Sequence, residues 1–271
     1  MAPSKHVVVI VSLAYSLAAC AKPPNAAPST LDDMSVALLS GFEGDSPETI
    51  AQPLAEWLLD HVDDDDGFTL ADIRAEDVAD MPYDGGEDGD PDFSEQRGIG
   101  VTHRVTGTLE EHTAIVPEAD QSFADPTYKT WERSVSEGTA DDFVAGASMR
   151  TDNFIEKSGA FGVTIAYSLG KDYRWLTLDI GGAPTDTLMF RSYELAPGWS
   201  DDHNNGLVYG WTIELWVPDP DGDLIWYNAS WCQLVTAVDG MIDDDYVVQS
   251  IIDGTVDYMD GTGNHATGAD Q

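Results

Sequence analysis

The chain has 271 residues, with 12 Lys and Arg against 50 Asp and Glu, a formal net charge of −38. Such acidity excludes a nucleic-acid footprint, which needs a basic surface, and it repels anionic lipid headgroups. Eight Trp, ten Tyr and eight Phe argue against a disordered acidic chain and for a packed core.

Lys5 and His6 precede an apolar run from Val7 to Ala19, which ends Ser16-Leu17-Ala18-Ala19-Cys20. The run falls short of the roughly 20 residues a membrane-spanning helix needs, and small residues close it, as at a signal-peptide cleavage site. Leu17-Ala18-Ala19-Cys20 resembles the lipobox of bacterial lipoproteins. That resemblance covers only the first 20 residues. It implies a signal peptide over 1–19, an acylated Cys20 as the mature N-terminus, and the lipid bilayer as a partner. Ala21, where Asp would signal inner-membrane retention, implies an outer-membrane destination in a two-membrane bacterium. Loss of Lys5 with the signal leaves 11 basic residues to 50 acidic ones, a net charge of −39. The Pro- and Ala-rich stretch 20–29 reads as anchor and tether.

Two short helices are expected over 30–62. Thr30 can cap the first, and Leu31, Met34 and Leu38 share a face. Pro47 suits the first helical position of the second, where Ile50, Leu54, Trp57, Leu58 and His61 form a stripe and Pro53 should kink it. The Asp63–Gly67 run resembles a calcium loop in composition only. With Gly67 at position six, Val62 and Ile73 occupy positions that need carboxylates. The segment 63–97 reads as an acidic, Gly-rich linker or loop.

From Gly98 to 260 the period is two. Alternation runs through Ile99, Val101, His103, Val105 and Leu109; through Phe161 to Leu169; and, after an expected turn at Gly170-Lys171-Asp172, through Leu176, Leu178 and Ile180. Leu207 to Val217 is the clearest strand. "PDPDGD" at 218–223 joins it to the next, and centring that loop on Asp221 pairs Trp211 with Trp231, Trp216 with Trp226, Tyr209 with Gln233 and Leu215 with Tyr227. The odd-numbered face is apolar and should be core. The even face carries Thr212, Glu214, Asn228 and Ser230, with Trp216 and Trp226 among them; this pair either stacks on a ligand or is covered by neighbouring structure. The segment 246–259 fits a helix and fits a strand nearly as well. The stretch 261–271 reads as a disordered tail. The fold class is therefore mainly β: an antiparallel meander forming a barrel or sandwich, preceded by two short helices, with a C-terminal helix as one way of closing it.

Candidate chemistry is sparse. Ala166-Tyr167-Ser168-Leu169-Gly170 matches a hydrolase nucleophile elbow in letters, but a strand rather than a helix follows it, so it reads as a hairpin turn. No disulfide is possible once Cys20 is acylated, and Cys232 reads as a buried thiol. Asp219, Asp221 and Asp223 are what a hairpin loop demands. No catalytic residue, metal site or cofactor is expected. His103, Trp216 and Trp226 are the candidate ligand-facing residues. The function expected is that of a lipid-anchored envelope protein with a non-enzymatic β domain, which takes a small apolar ligand or another envelope protein. The alternative is an envelope hydrolase using carboxylates and His103 inside a β-barrel cavity.

Overall fold

A computed structural model describes residues 25–26, 29–61, 67–85, 91–158, 163–236 and 244–269. The signal run, Cys20, the acidic run 63–66 and Phe161 lie outside these. In chain order come β1 (Asn25–Ala26), α1 (Ser29–Ser40), α2 (Pro47–His61), β2 (Gly67–Leu70), β3 (Arg97–Val105), α3 (Leu109–Ile115), β4 (Tyr128–Glu137), α4 (Ala140–Val144), β5 (Met149–Ser158), β6 (Thr164–Ile180), β7 (Ala183–Glu194), β8 (Gly198–Trp199), β9 (Gly206–Pro218), β10 (Leu224–Val235) and α5 (Asp244–Thr267). Mainly β is thus correct, with two helices before the meander and one long helix after it.

One 10-stranded sheet holds the molecule, in the order β1-β2-β3-β10-β9-β7-β6-β5-β4, with β8 branching to β6 and β9. All described pairings are antiparallel except β1 with β2. The hairpin register deduced from the sequence is the one observed: Trp211 faces Trp231, Trp216 faces Trp226, Tyr209 faces Gln233 and Leu215 faces Tyr227. Gly222 takes φ of 103°, a conformation open to Gly but strained for other residues, and this closes the turn.

Side chains alternate across a strand, so the sheet has two faces. The odd face of β9 and β10 packs Tyr209, Trp211, Ile213, Leu215, Tyr227 and Trp231 beneath α1 and α2, with Leu31, Leu38, Leu54 and Leu58. This is the apolar core expected there. Ser35 and Tyr227 share a hydrogen bond across that interface at 2.5 Å. Arg191, 2% exposed, ties the sheet to the helical layer by binding Asp172 of β6 at 2.9 Å, Asp80 at 2.7 Å and Glu43 after α1 at 2.7 Å.

The even face is covered by α3 and α5. His103 on β3 bonds Asp260 of α5 at 2.8 Å, and Trp131 on β4, the far end of the strand order, stacks on Tyr258 of the same helix at 5.8 Å. Both reach one helix, so the sheet curls around α5.

Several sequence expectations give way. β6 runs unbroken through Gly170-Lys171-Asp172, which is paired with β5 and β7 on both sides, so no turn forms there and Ser168 sits in mid-strand. Leu109 belongs to α3 rather than to β3, because Thr108 and Glu111 form a capping box that starts a helix. Within 63–97, Gly67–Leu70 is a strand paired with β3. The C-terminal ambiguity resolves as helix, and the stretch expected to be a disordered tail supplies the last turns of α5. Thr262 and Gly263 are buried there, and His265 stacks on Phe123 at 3.7 Å.

Candidate functional site

The even face can be read in rows, each crossing neighbouring strands. The first row is Trp175, Leu188, Trp216, Trp226 and His103. The second is Tyr173, Phe190, Glu214, Asn228 and Val101. The third is Lys171, Ser192, Thr212 and Ser230. In the fourth, Leu169 faces Glu194 and Gly210 faces Cys232.

The first row is filled. Trp216 and Trp226 meet edge to face at 4.9 Å. The buried His112 of α3 lies 5.4 Å from the Trp216 ring, Phe190 lies 5.0 Å from it, and Tyr258 of α5 lies 5.4 Å from Trp226. Burial lowers the His112 pKa despite the Thr106 carbonyl at 2.9 Å, to which its Nε2–H donates. The three ligand-facing candidates are therefore brought together in one row, the two tryptophans as packed core and His103 half-buried beside them. Trp216 is 3% and Trp226 0% exposed. None of Trp216, Trp226 and His103 is on the wall of the cavity described next. They lie apart from that cavity, because α3 and α5 cover the row.

Beyond that row, α5 and the sheet leave between them a cavity of about 520 Å³. Its floor is the third row with Glu214, Asn228, Glu194 and Cys232; its roof is Tyr246, Val247, Ser250, Ile251, Gly254, Thr255 and Tyr258; its far wall is Tyr128, Trp131, Ile155, Ile165, Tyr167 and Leu169. The wall is mainly apolar, with a polar stripe along the floor, the usual make-up of small-molecule sites.

Two charges in that stripe neutralise each other. Lys171, 5% exposed, stands 3.6 Å from Glu214, 2% exposed. Burial opposes the ammonium, but Tyr258, Glu214 and Tyr173 outweigh it and leave the Lys171 pKa raised. The other Glu214 oxygen accepts from the Trp226 indole at 2.7 Å, so the filled row braces the floor. Glu194, 5% exposed, has no such cation among the described residues; burial pushes its carboxyl well above the ordinary range. Burial, followed by the charge of Glu194, pushes the Cys232 thiol up to about 12, so it is a poor nucleophile at neutral pH.

Lys171, Ser192 and Glu194 escape sequence reading, which puts the first in a turn and names no element over 183–194. A signal exists all the same. Lys171 continues the alternation of Tyr167 and Leu169, and Ser192 and Glu194 alternate with Tyr193. In the 219–223 loop, Asp219 accepts from the Asp221 N–H at 3.1 Å and pairs with Arg104. Among the described residues no group of three or more His, Cys, Asp or Glu is placed to hold a metal ion.

No protein-family description matches the chain, and no curated protein matches it. Solved structures do. A protein from Thermus thermophilus shares 10% identity at TM-score 0.44, over 64% of this chain and 99% of that one. Ara h 8.0201 shares 13% at TM-score 0.36, over 64% and 99%. The lipid transfer and protein localization domain of human StarD13 shares 10% at TM-score 0.38, over 79% and 95%. Every one of these TM-scores is below 0.5, so the reading of the site rests on its own geometry.

Proposed function

We propose that the protein is a binding module for a small, largely apolar molecule held between the curled sheet and α5, displayed from the bacterial envelope by an acylated Cys20. The observation that carries the binding half is the cavity of about 520 Å³, within the range of small-molecule sites, with its mainly apolar wall. Carboxylates do enter the cavity, but His103 is not on its wall, which favours the binding reading over the hydrolase alternative. The anchoring half rests on the sequence Leu17-Ala18-Ala19-Cys20, and the Pro-rich stretch after it gives the acidic domain distance from the bilayer.

Two measurements test this. The neutral dye N-phenyl-1-naphthylamine should bind saturably at one equivalent. Gly254→Trp should abolish that binding while keeping the native melting temperature, because nothing lies within 4 Å of a Cβ built at Gly254 and the residue is part of the roof. Unsaturable binding, or binding untouched by the filled cavity, would sink the cavity reading. Separately, Cys20→Ser should move the protein from the membrane fraction to a soluble or unprocessed form. Equal detergent dependence of both forms would refute the anchor.

A further inference from the structure

The floor of the cavity holds polar groups that the fold itself leaves unused. Among the described residues, Glu194 Oε2, Ser192 Oγ and Thr212 Oγ1 are buried atoms with no hydrogen-bond partner. All three residues line the cavity, Ser192 faces Thr212 across the β7–β9 ladder, and Glu194 is two residues along the same face from Ser192. A buried polar atom left unmet is unfavourable to the fold, so three together on one wall point outward from it to a ligand.

The strand opposite makes room for this arrangement. A Cβ at Gly210 would stand 2.9 Å from Glu194 Oε2 and 3.0 Å from Oε1. Any side chain at 210 would displace the carboxyl from the floor. The cations on the described wall are already matched. Lys171 faces Glu214, which also takes the Trp226 indole, and Lys157 pairs with Asp125 at 3.0 Å. The site therefore offers no spare positive charge to an anionic ligand, and the apolar far wall offers nothing to a strongly solvated one.

We infer that the ligand is an uncharged amphiphile whose single hydroxyl or carbonyl group docks on Glu194, Ser192 and Thr212 while its apolar body lies against the far wall and α5. The inference rests on the cavity proposed above and deepens it by naming the polar anchor. A protonated carboxyl has one donor and one acceptor side, and each hydroxyl has both. The trio can therefore satisfy a hydroxyl or a carbonyl, and it favours either over a bare hydrocarbon. The raised Glu194 pKa agrees with a carboxyl whose burial favours the protonated form.

The test uses three fluorescent probes of one shape: pyrene, 1-hydroxypyrene and pyrene-1-carboxylate, titrated at pH 6.5 into the full chain. The native protein should bind 1-hydroxypyrene about tenfold tighter than pyrene, which is about 1.4 kcal/mol, and bind the carboxylate weakest. Glu194→Leu should erase the hydroxyl preference and leave pyrene affinity equal or higher. Glu194→Gln, which keeps one donor and one acceptor side, should retain most of the preference and serves as the control for folding, checked by melting temperature. Ser192→Ala should reduce the preference partway. If pyrene binds but the hydroxyl preference is absent, or survives in Glu194→Leu, the anchor is wrong and the cavity reading stands. A carboxylate that binds tightest also overturns the anchor. If no probe binds, both readings fall.

Discussion

Glu194 is the residue on which the chemistry of the cavity turns, and its burial makes a stability prediction independent of any ligand. Its folded pKa is raised above the ordinary 4.5. Above that value the unfolded chain ionises Glu194 while the folded chain keeps the proton, so unfolding gains as pH rises toward the folded pKa. The residue is therefore a penalty, absent below pH 4.5 and growing above it. Glu194→Gln removes the titration. The variant should melt higher than the native protein at about pH 7, and the difference should shrink toward zero as pH falls to 4.5. A constant difference across that range would show that the carboxyl is not held neutral by the fold. Trp226 shows the opposite case, a residue committed to packing. It meets Trp216, Phe190, Tyr258 and Glu214, so Trp226→Ala should cost about 3–5 kcal/mol by denaturant unfolding. A loss below about 1 kcal/mol would mean the row is loosely filled.

Among the elements, α5 presents two kinds of surface, packed and cavity-facing, and its glycines tell them apart. Its C-terminal half lies tight against β3 and the turn at Ser122–Ala124. A Cβ at Gly261 would be 2.1 Å from the Ala124 carbonyl oxygen, and one at Gly263 would be 2.5 Å from Val105. Its N-terminal half packs Val248 and Ile252 on the sheet but turns Gly254 to the cavity, and a Cβ at Gly254 meets nothing within 4 Å. The same substitution should therefore act in opposite directions. Gly254→Ala gains helix propensity and should stabilise by roughly 1 kcal/mol. Gly261→Ala pushes against backbone and should destabilise by about 1–3 kcal/mol. Chemical denaturation of the two variants side by side checks this, and a shared sign would contradict the open space at Gly254 and the close contact at Gly261. Helix and strand compete for 246–259 in the sequence because β-branched residues and Gly254 weaken helix propensity locally. What settles the matter is tertiary: a helix is what buries Val248, Ile252 and Met259 on one side against the curled sheet.

Across the protein as a body, charge dominates. A net charge of −38 on 271 residues makes the compact state repel itself. The Debye length falls from roughly 30 Å at 0.01 M salt to roughly 10 Å at 0.1 M, so the melting temperature should rise with sodium chloride over that range. Calcium at matched ionic strength should add no steep, saturating excess, since Asp219 is already engaged by Arg104 and by its own loop. A saturating rise near one or two equivalents would establish a metal site instead.

Local rules suffice for the β class, the two leading helices, the register of the β9–β10 hairpin and the division of that hairpin into an apolar and a polar face. Those rules are period-two alternation, a turn that permits one centre, and Pro47 at a helix start. What each face does is not local. Polar residues on a strand ordinarily face water, so Thr212, Glu214, Asn228 and Ser230 read as an exterior with two tryptophans standing in it. Curling of the sheet around α5 turns that face inward, which buries Trp216 and Trp226 as core and makes the polar stripe a cavity floor. Lys171 and Glu194 stay illegible in the sequence for the same reason. Each is an ordinary charged residue there, and each acquires its role only because strands distant in the chain, and the helix that follows them, remove the water that would otherwise surround it.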